Sequence, residues 1–203
     1  MDLAGRLNRM SHRVPPWLIY MGGFTWSGWL MWQATSGGMG ADPVKALEHA
    51  LGKTGLQLLI AVLCITPARR YLGLNLIRFR RALGLTAFYY IALHFLAWIV
   101  LDMGQLISQA LGDIVKRPYV TIGMAGLVLL IPLALTSNDR MIRRLGAGRW
   151  RKLHQLTYPA VLLGGVHYLW LVKSWPPEPI LYLAAIVGLL VLRLAPTRGR
   201  VAA

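Results

Sequence analysis

Acidic residues are scarce in this chain. Asp and Glu number 7 against 22 Lys and Arg, which leaves a formal charge of +15. Cysteine is scarcer still: Cys64 stands alone, so a disulfide framework is excluded. Charged residues of both signs make up only 14% of the chain, where a soluble domain carries about 25%. No glycine-rich fingerprint opens a strand–helix unit, because Gly37-Gly38-Met39-Gly40 sits in a loop, so a nucleotide-binding domain is not expected. Internal repeats and low-complexity tracts are also lacking. What is plentiful is apolar sequence, 56% of residues at a mean hydropathy of +0.52. That content excludes disorder. It also separates the chain from soluble nucleic-acid binders of similar charge. A polytopic membrane protein remains.

Six apolar runs are each long enough for a helical span. They cover 17–35, 55–72, 83–103, 118–136, 153–172 and 179–194. The fourth opens on Pro118, where a missing N–H costs nothing in the first helical turn. No polar connection exceeds about 20 residues, so the chain reads as one all-α domain over 1–203. Arg6, Arg9 and Arg13 ahead of an apolar stretch have the charge pattern of a signal peptide. The stretch is too long, however, and no small-x-small site follows it cleanly, so a retained first helix is expected.

The arginines set the expected orientation. The N-terminal arm, the 2–3 loop, the 4–5 loop and the C-terminal tail hold 17 of the 22 basic residues and only Asp2 and Asp139 as acids. The opposite side holds Lys45, Lys53, Lys116, Arg117 and Lys173, balanced by five acids. By the positive-inside rule both termini are expected in the cytoplasm. The same asymmetry accounts for the basic charge without nucleic acid.

Ionisable residues within spans are functional candidates by default. His94 lies 11 residues into span 3 and His167 lies 14 residues into span 5. These positions are about 16–17 Å and about 21 Å from the inner ends of two spans that run the same way. Two imidazoles facing each other at similar depth can hold a haem iron from both sides. A lone histidine in a span is also often hydrogen-bonded to a neighbouring helix, and that reading stays open here. His154, 13 residues before His167, begins span 5 beside Arg151 and Lys152. The offset is about 20 Å and about 220° around a helix, so the two do not share one stripe. Arg81, 13 residues before His94, belongs to a basic loop and reads first as a topology determinant. Gly164 and Gly165 suit either the close approach of a flat macrocycle or ordinary helix packing.

An ordered set of short motifs carries a resemblance. It runs through Gly38-Met39-Gly40-Ala41-Asp42-Pro43-Val44-Lys45 with His49 and Gly52, then Ile77-Arg78-Phe79-Arg80-Arg81-Ala82-Leu83-Gly84 with His94. Lys116-Arg117-Pro118-Tyr119, Leu135-Thr136-Ser137, Leu145-Gly146, Trp150, Leu153-His154 and Tyr158 follow, and His167-Tyr168-Leu169-Trp170 closes it. Over about residues 17–194 the chain resembles the MsrQ (YedZ) family, the haem-binding membrane subunits of the periplasmic methionine sulfoxide reductase system.

The resemblance implies a six-helix bundle of ferric-reductase-like type in the bacterial inner membrane, with haem b and FMN as cofactors. It implies electron transfer to a periplasmic molybdopterin-dependent methionine sulfoxide reductase that repairs oxidised envelope proteins. The donor it implies is the quinone pool or a cytosolic flavin reductase. His94 and His167 match the outer haem positions, and His154 matches the inner position on span 5. Arg81 stands where the wider superfamily carries the first of two histidines on span 3. A guanidinium offers donors and no lone pair. Arg81 is therefore expected to pair with a haem propionate or a flavin phosphate, with Arg78 and Arg80 as rivals. Other classes consistent with the residues are a stand-alone ferric reductase or b-type cytochrome, and a haem-free small transporter or scaffold.

Overall fold

The computed structural model describes residues 3–104, 106–172, 174 and 176–194. Asp2, Lys173, Arg198 and Arg200, which entered the charge count, and Trp175 lie outside the described residues. Among the described residues the chain is helical with no strand. The helices are α1 (Leu3–Arg13), α2 (Trp17–Thr35), α3 (Pro43–Leu72), α4 (Arg80–Ala97), α5 (Ile107–Lys116), α6 (Pro118–Leu135), α7 (Asp139–Leu145), α8 (Ala147–Leu153), α9 (Thr157–Leu171) and α10 (Pro177–Leu194). A 3-10 turn, Ile77–Phe79, leads into α4, and a π-turn, Trp98–Asp102, extends it.

Three of these segments are long and apolar enough to cross a membrane by length and composition: Pro43–Leu72, Ile77–Asp102 and Pro118–Leu135. Helix α2 draws its apolar character from Trp17, Trp26, Trp29 and Trp32, residues typical of the membrane–water boundary. Large apolar side chains stay exposed along it, Phe24 and Trp32 among them.

Local chemistry explains where the helices start and stop. Helix α3 begins at Pro43, about three turns before the expected 55. Asp42 is its N-cap and accepts the Lys45 backbone N–H at 3.1 Å, while Pro43 occupies the first turn. The Lys45 donation and its ammonium hold the Asp42 carboxyl below its usual range. The stretch expected as an outer loop, with Lys45, Glu48, His49 and Gly52, is therefore helical. At the other end Gly73 adopts φ 69°, the left-handed cap that glycine accepts without strain.

The expected fifth span is α-helical only as α9, because a 3-10 turn at His154–Leu156 separates it from α8. Pro159 has no N–H to give the Gln155 carbonyl, which favours the change of winding at this point.

The bundle is centred on α3, α4, α6 and α9. Helix α3 packs along α4, α6 packs along α9, and α10 closes over α3 and α9. Leu56, Leu59, Leu63, Ala87, Leu130, Leu133, Ala160, Val161 and Ile186 form the main core. A second core of Leu30, Leu47, Leu51, Tyr90 and Ala97 joins α2 to α3 and α4. The Tyr90 hydroxyl there donates to the Gly23 carbonyl at 2.5 Å.

Pro67 lies inside α3 and supplies no N–H for the carbonyl of Leu63. Arg193 of α10 fills the gap. Its Nη2 donates to the Leu63 carbonyl at 2.8 Å and its Nη1 to the Tyr158 hydroxyl at 3.0 Å. An arginine near the end of one helix thus completes the backbone bonding of another, as a low-dielectric surround requires.

Candidate functional site

His94 sits on α4 and His167 on α9, and the bundle brings the two rings together edge-on. Their ring centroids are 6.2 Å apart with planes at 70°. Each ring is anchored from behind by a different helix. His94 Nδ1–H donates to the Glu48 carbonyl of α3 at 2.9 Å. His167 Nδ1–H donates to the Tyr119 carbonyl of α6 at 2.7 Å. A carbonyl can only accept, so the proton sits on Nδ1 in both rings and the Nε2 lone pair is left available. Tying one ring nitrogen to a backbone carbonyl is how metal-binding histidines are oriented and made more basic.

The same local device appears twice. The acceptor carbonyl of Glu48 is followed four residues later by Gly52, and that of Tyr119 by Gly123. A helical carbonyl normally lies beneath the side chain of residue i+4. With glycine there the groove is bare, and the imidazole drops into it. A Cβ on Gly52 would lie 3.0 Å from His94 Nδ1, and one on Gly123 would lie 2.8 Å from His167 Nδ1.

Both rings line a cavity of about 680 Å³, within the range of about 300–1,000 Å³ seen for cofactor pockets. Leu56, Leu59, Ile91, Leu127, Leu130 and Ala160 line its apolar wall, and Gly52, Gly123, Gly126 and Gly164 flatten it. Lys45, His49, Lys53 and Arg117 are basic members of the lining. Lys45 is ion-paired with Asp42 at 3.2 Å, Lys53 with Glu178, and Arg117 with Asp113 at 3.2 Å.

The donor set discriminates among ligands. Among the described residues no three His, Cys, Asp or Glu side chains converge on a metal position. Two imidazoles alone do not complete a protein-built zinc site, which takes three or four protein ligands. They do complete a macrocycle that brings its own four nitrogens. The two ring centroids lie 6.2 Å apart, and each ring keeps an Nε2 free for such a group. The residues present fit a haem.

The other expected site residues lie elsewhere. His154 is in the 3-10 turn and stacks on Trp150 at 3.8 Å. Its Nδ1 donates to the Trp150 carbonyl at 3.1 Å, and its Nε2 stands 3.4 Å from Ser137 Oγ. No second imidazole faces it among the described residues. Arg81 is ion-paired with Asp139 of α7 at 2.5 Å, which holds the Asp139 carboxyl below its usual range. Arg78 donates to the carbonyls of His12 at 2.7 Å and Ser11 at 3.3 Å. None of the three belongs to the cavity that His94 and His167 line. Sequence reasoning missed Gly123 and the two acceptor carbonyls. The signal available for them was the recurrence of glycine four residues after Glu48 and after Tyr119.

The family model for the ferric reductase like transmembrane component matches residues 51–165. Among curated proteins, the MsrQ haem-binding subunit of protein-methionine-sulfoxide reductase from Brucella ovis is 51% identical over 179 residues, 88% of this chain and 81% of the relative. The same-named subunit of Brucella canis matches to the same extent.

Proposed function

The chain belongs to the ferric reductase like transmembrane family and, within it, to the MsrQ haem-binding subunits of protein-methionine-sulfoxide reductase, and from that membership we propose that it is the haem-bearing membrane electron-transfer subunit of such a system. The single observation that carries this is the pair of tethered imidazoles, His94 and His167, 6.2 Å apart on the lining of one apolar cavity. A haem b bound there supplies one-electron transfer. The chain's own residues do the rest. Glu48 and Tyr119 hold the ring tautomers, and Gly52 and Gly123 let the rings seat.

The finer reading extends this. Six spans, formed by α2, α3, α4 with its π-turn, α6, α9 and α10, place both termini in the cytoplasm of a bacterium and the bundle in its inner membrane. The arginine asymmetry supports that orientation. His94 and His167 then lie nearer the outer face. The acceptor is a periplasmic molybdopterin-dependent methionine sulfoxide reductase that docks over Lys45, His49, Lys116 and Arg117. Electrons come from quinol or from a cytosolic flavin reductase. FMN, expected as a second cofactor, has candidate phosphate partners in Arg78, Arg80 and Arg81. Binding through Arg81 would exchange its bond to Asp139. His154 with Arg81 frames a candidate inner site for a second haem.

The test is a reduced-minus-oxidised spectrum of the purified full-length protein, with a pyridine haemochrome count. A b-type signal that is retained in neither His94→Ala nor His167→Ala is the expected result. A normal spectrum in both variants would overturn the assignment. A ratio of two haems per chain would favour the inner site at His154.

A further inference from the structure

Helix α1 has no buried residue, yet its side chains are sorted by face. At 100° per residue, Leu3, Leu7, Met10 and Val14 just beyond the helix fall on one narrow stripe, and all four are exposed. Arg6, Arg9 and Arg13 lie along one flank of that stripe. The opposite flank is fastened to the bundle. Asn8 donates from Nδ2 to the Gly73 carbonyl at 2.9 Å and accepts the Asn75 backbone N–H at 2.8 Å. Arg78 grips the far end through the Ser11 and His12 carbonyls. The helix is therefore held in one rotation, with its apolar stripe unpartnered and its arginines alongside.

We infer that α1 is an interfacial helix that buries Leu3, Leu7, Met10 and Val14 in the anionic surface of a phospholipid bilayer, with Arg6 and Arg13 on the lipid phosphates. The charge complementarity commits the occupant. A stripe flanked by arginines suits acidic headgroups over acyl chains, the arrangement of a surface-lying amphipathic helix. Position agrees with it, because α2 starts at Trp17, a boundary residue type, directly after Pro15-Pro16. The helix also shares its end of the bundle with the arginine-rich α3–α4 connection. Lying there, α1 fixes that connection at headgroup depth.

Fluorophores attached one at a time at Leu7→Cys, Met10→Cys and His12→Cys test this, in full-length protein on a Cys64→Ala background. The protein is reconstituted in phosphatidylcholine vesicles with and without phosphatidylglycerol. Labels at positions 7 and 10 should be quenched by acyl-chain nitroxide lipids and protected from an aqueous quencher, and the label at 12 should do the reverse. Each arginine removed by R6A or R13A should lower the surface-bound fraction relative to the lifted one about fivefold in anionic vesicles. Equal aqueous quenching at 7, 10 and 12 would overturn the inference. So would protection of 7 and 10 from both quenchers, which would mean that protein covers the stripe. Burial that ignores phosphatidylglycerol would overturn the anionic specificity.

Discussion

A methyl group on Gly123 would lie 2.8 Å from Nδ1 of His167, so the imidazole reaches the Tyr119 carbonyl only because that position has no side chain. Gly123→Ala should push the ring off its acceptor and misdirect Nε2. Loss of such an orienting contact typically costs about 10–100-fold in metal affinity. Gly52→Ala, where the approach is 3.0 Å, should do the same more mildly. Haem titration of both variants checks the order, with helical content by circular dichroism as the folding control.

Removing an imidazole outright is the sharper version. His94→Ala and His167→Ala should each leave a one-sided site that loses its haem signal. Added imidazole should restore the six-coordinate spectrum, because a free ring can occupy the space that the side chain left. No recovery in either variant, with the protein still folded, would argue that these histidines serve packing alone.

Arg193 and Pro67 make a coupled pair. Arg193→Met leaves the Leu63 carbonyl without a donor, at a cost of about 1–3 kcal/mol for an unsatisfied buried polar group. Pro67→Ala restores the missing N–H, so the same arginine change should cost much less in that background. A double-mutant cycle on thermal or denaturant unfolding in detergent measures the coupling, and additive effects would contradict it.

The Arg81–Asp139 pair carries a pH dependence of known sign. The carboxyl is held below its ordinary value of 3.8, so the contribution is fully present above that value and fades as pH falls through the depressed one. Both side chains are largely exposed, and such pairs contribute little. Asp139→Asn should barely move the unfolding midpoint at neutral pH and should flatten its dependence below pH 3.8. A large loss of stability at pH 7 would show that the pair does more than tie α4 to α7.

His94 and His167 were legible in the sequence because ionisable residues stand out in apolar runs and helical rise fixes their depth. Their anchoring was not. A backbone carbonyl has no side-chain signature, and Gly123 reads as one small residue among many until the bundle places it under a ring. The start of α3 was written in Asp42-Pro43 but overridden by a hydropathy count, which weighs residues 43–54 as polar. The helices α1, α5, α7 and α8 escaped for a related reason: they are short and mixed in polarity, so no apolar run marks them. His154 was expected to begin the fifth span at the membrane edge, and it stands in a 3-10 turn just ahead of α9.

The two rings are gripped from outside by helices that carry neither of them, α3 behind His94 and α6 behind His167. A metal that the two rings held would meet side chains that cannot swing away. A centre so held could change its charge by one with little rearrangement of the protein around it.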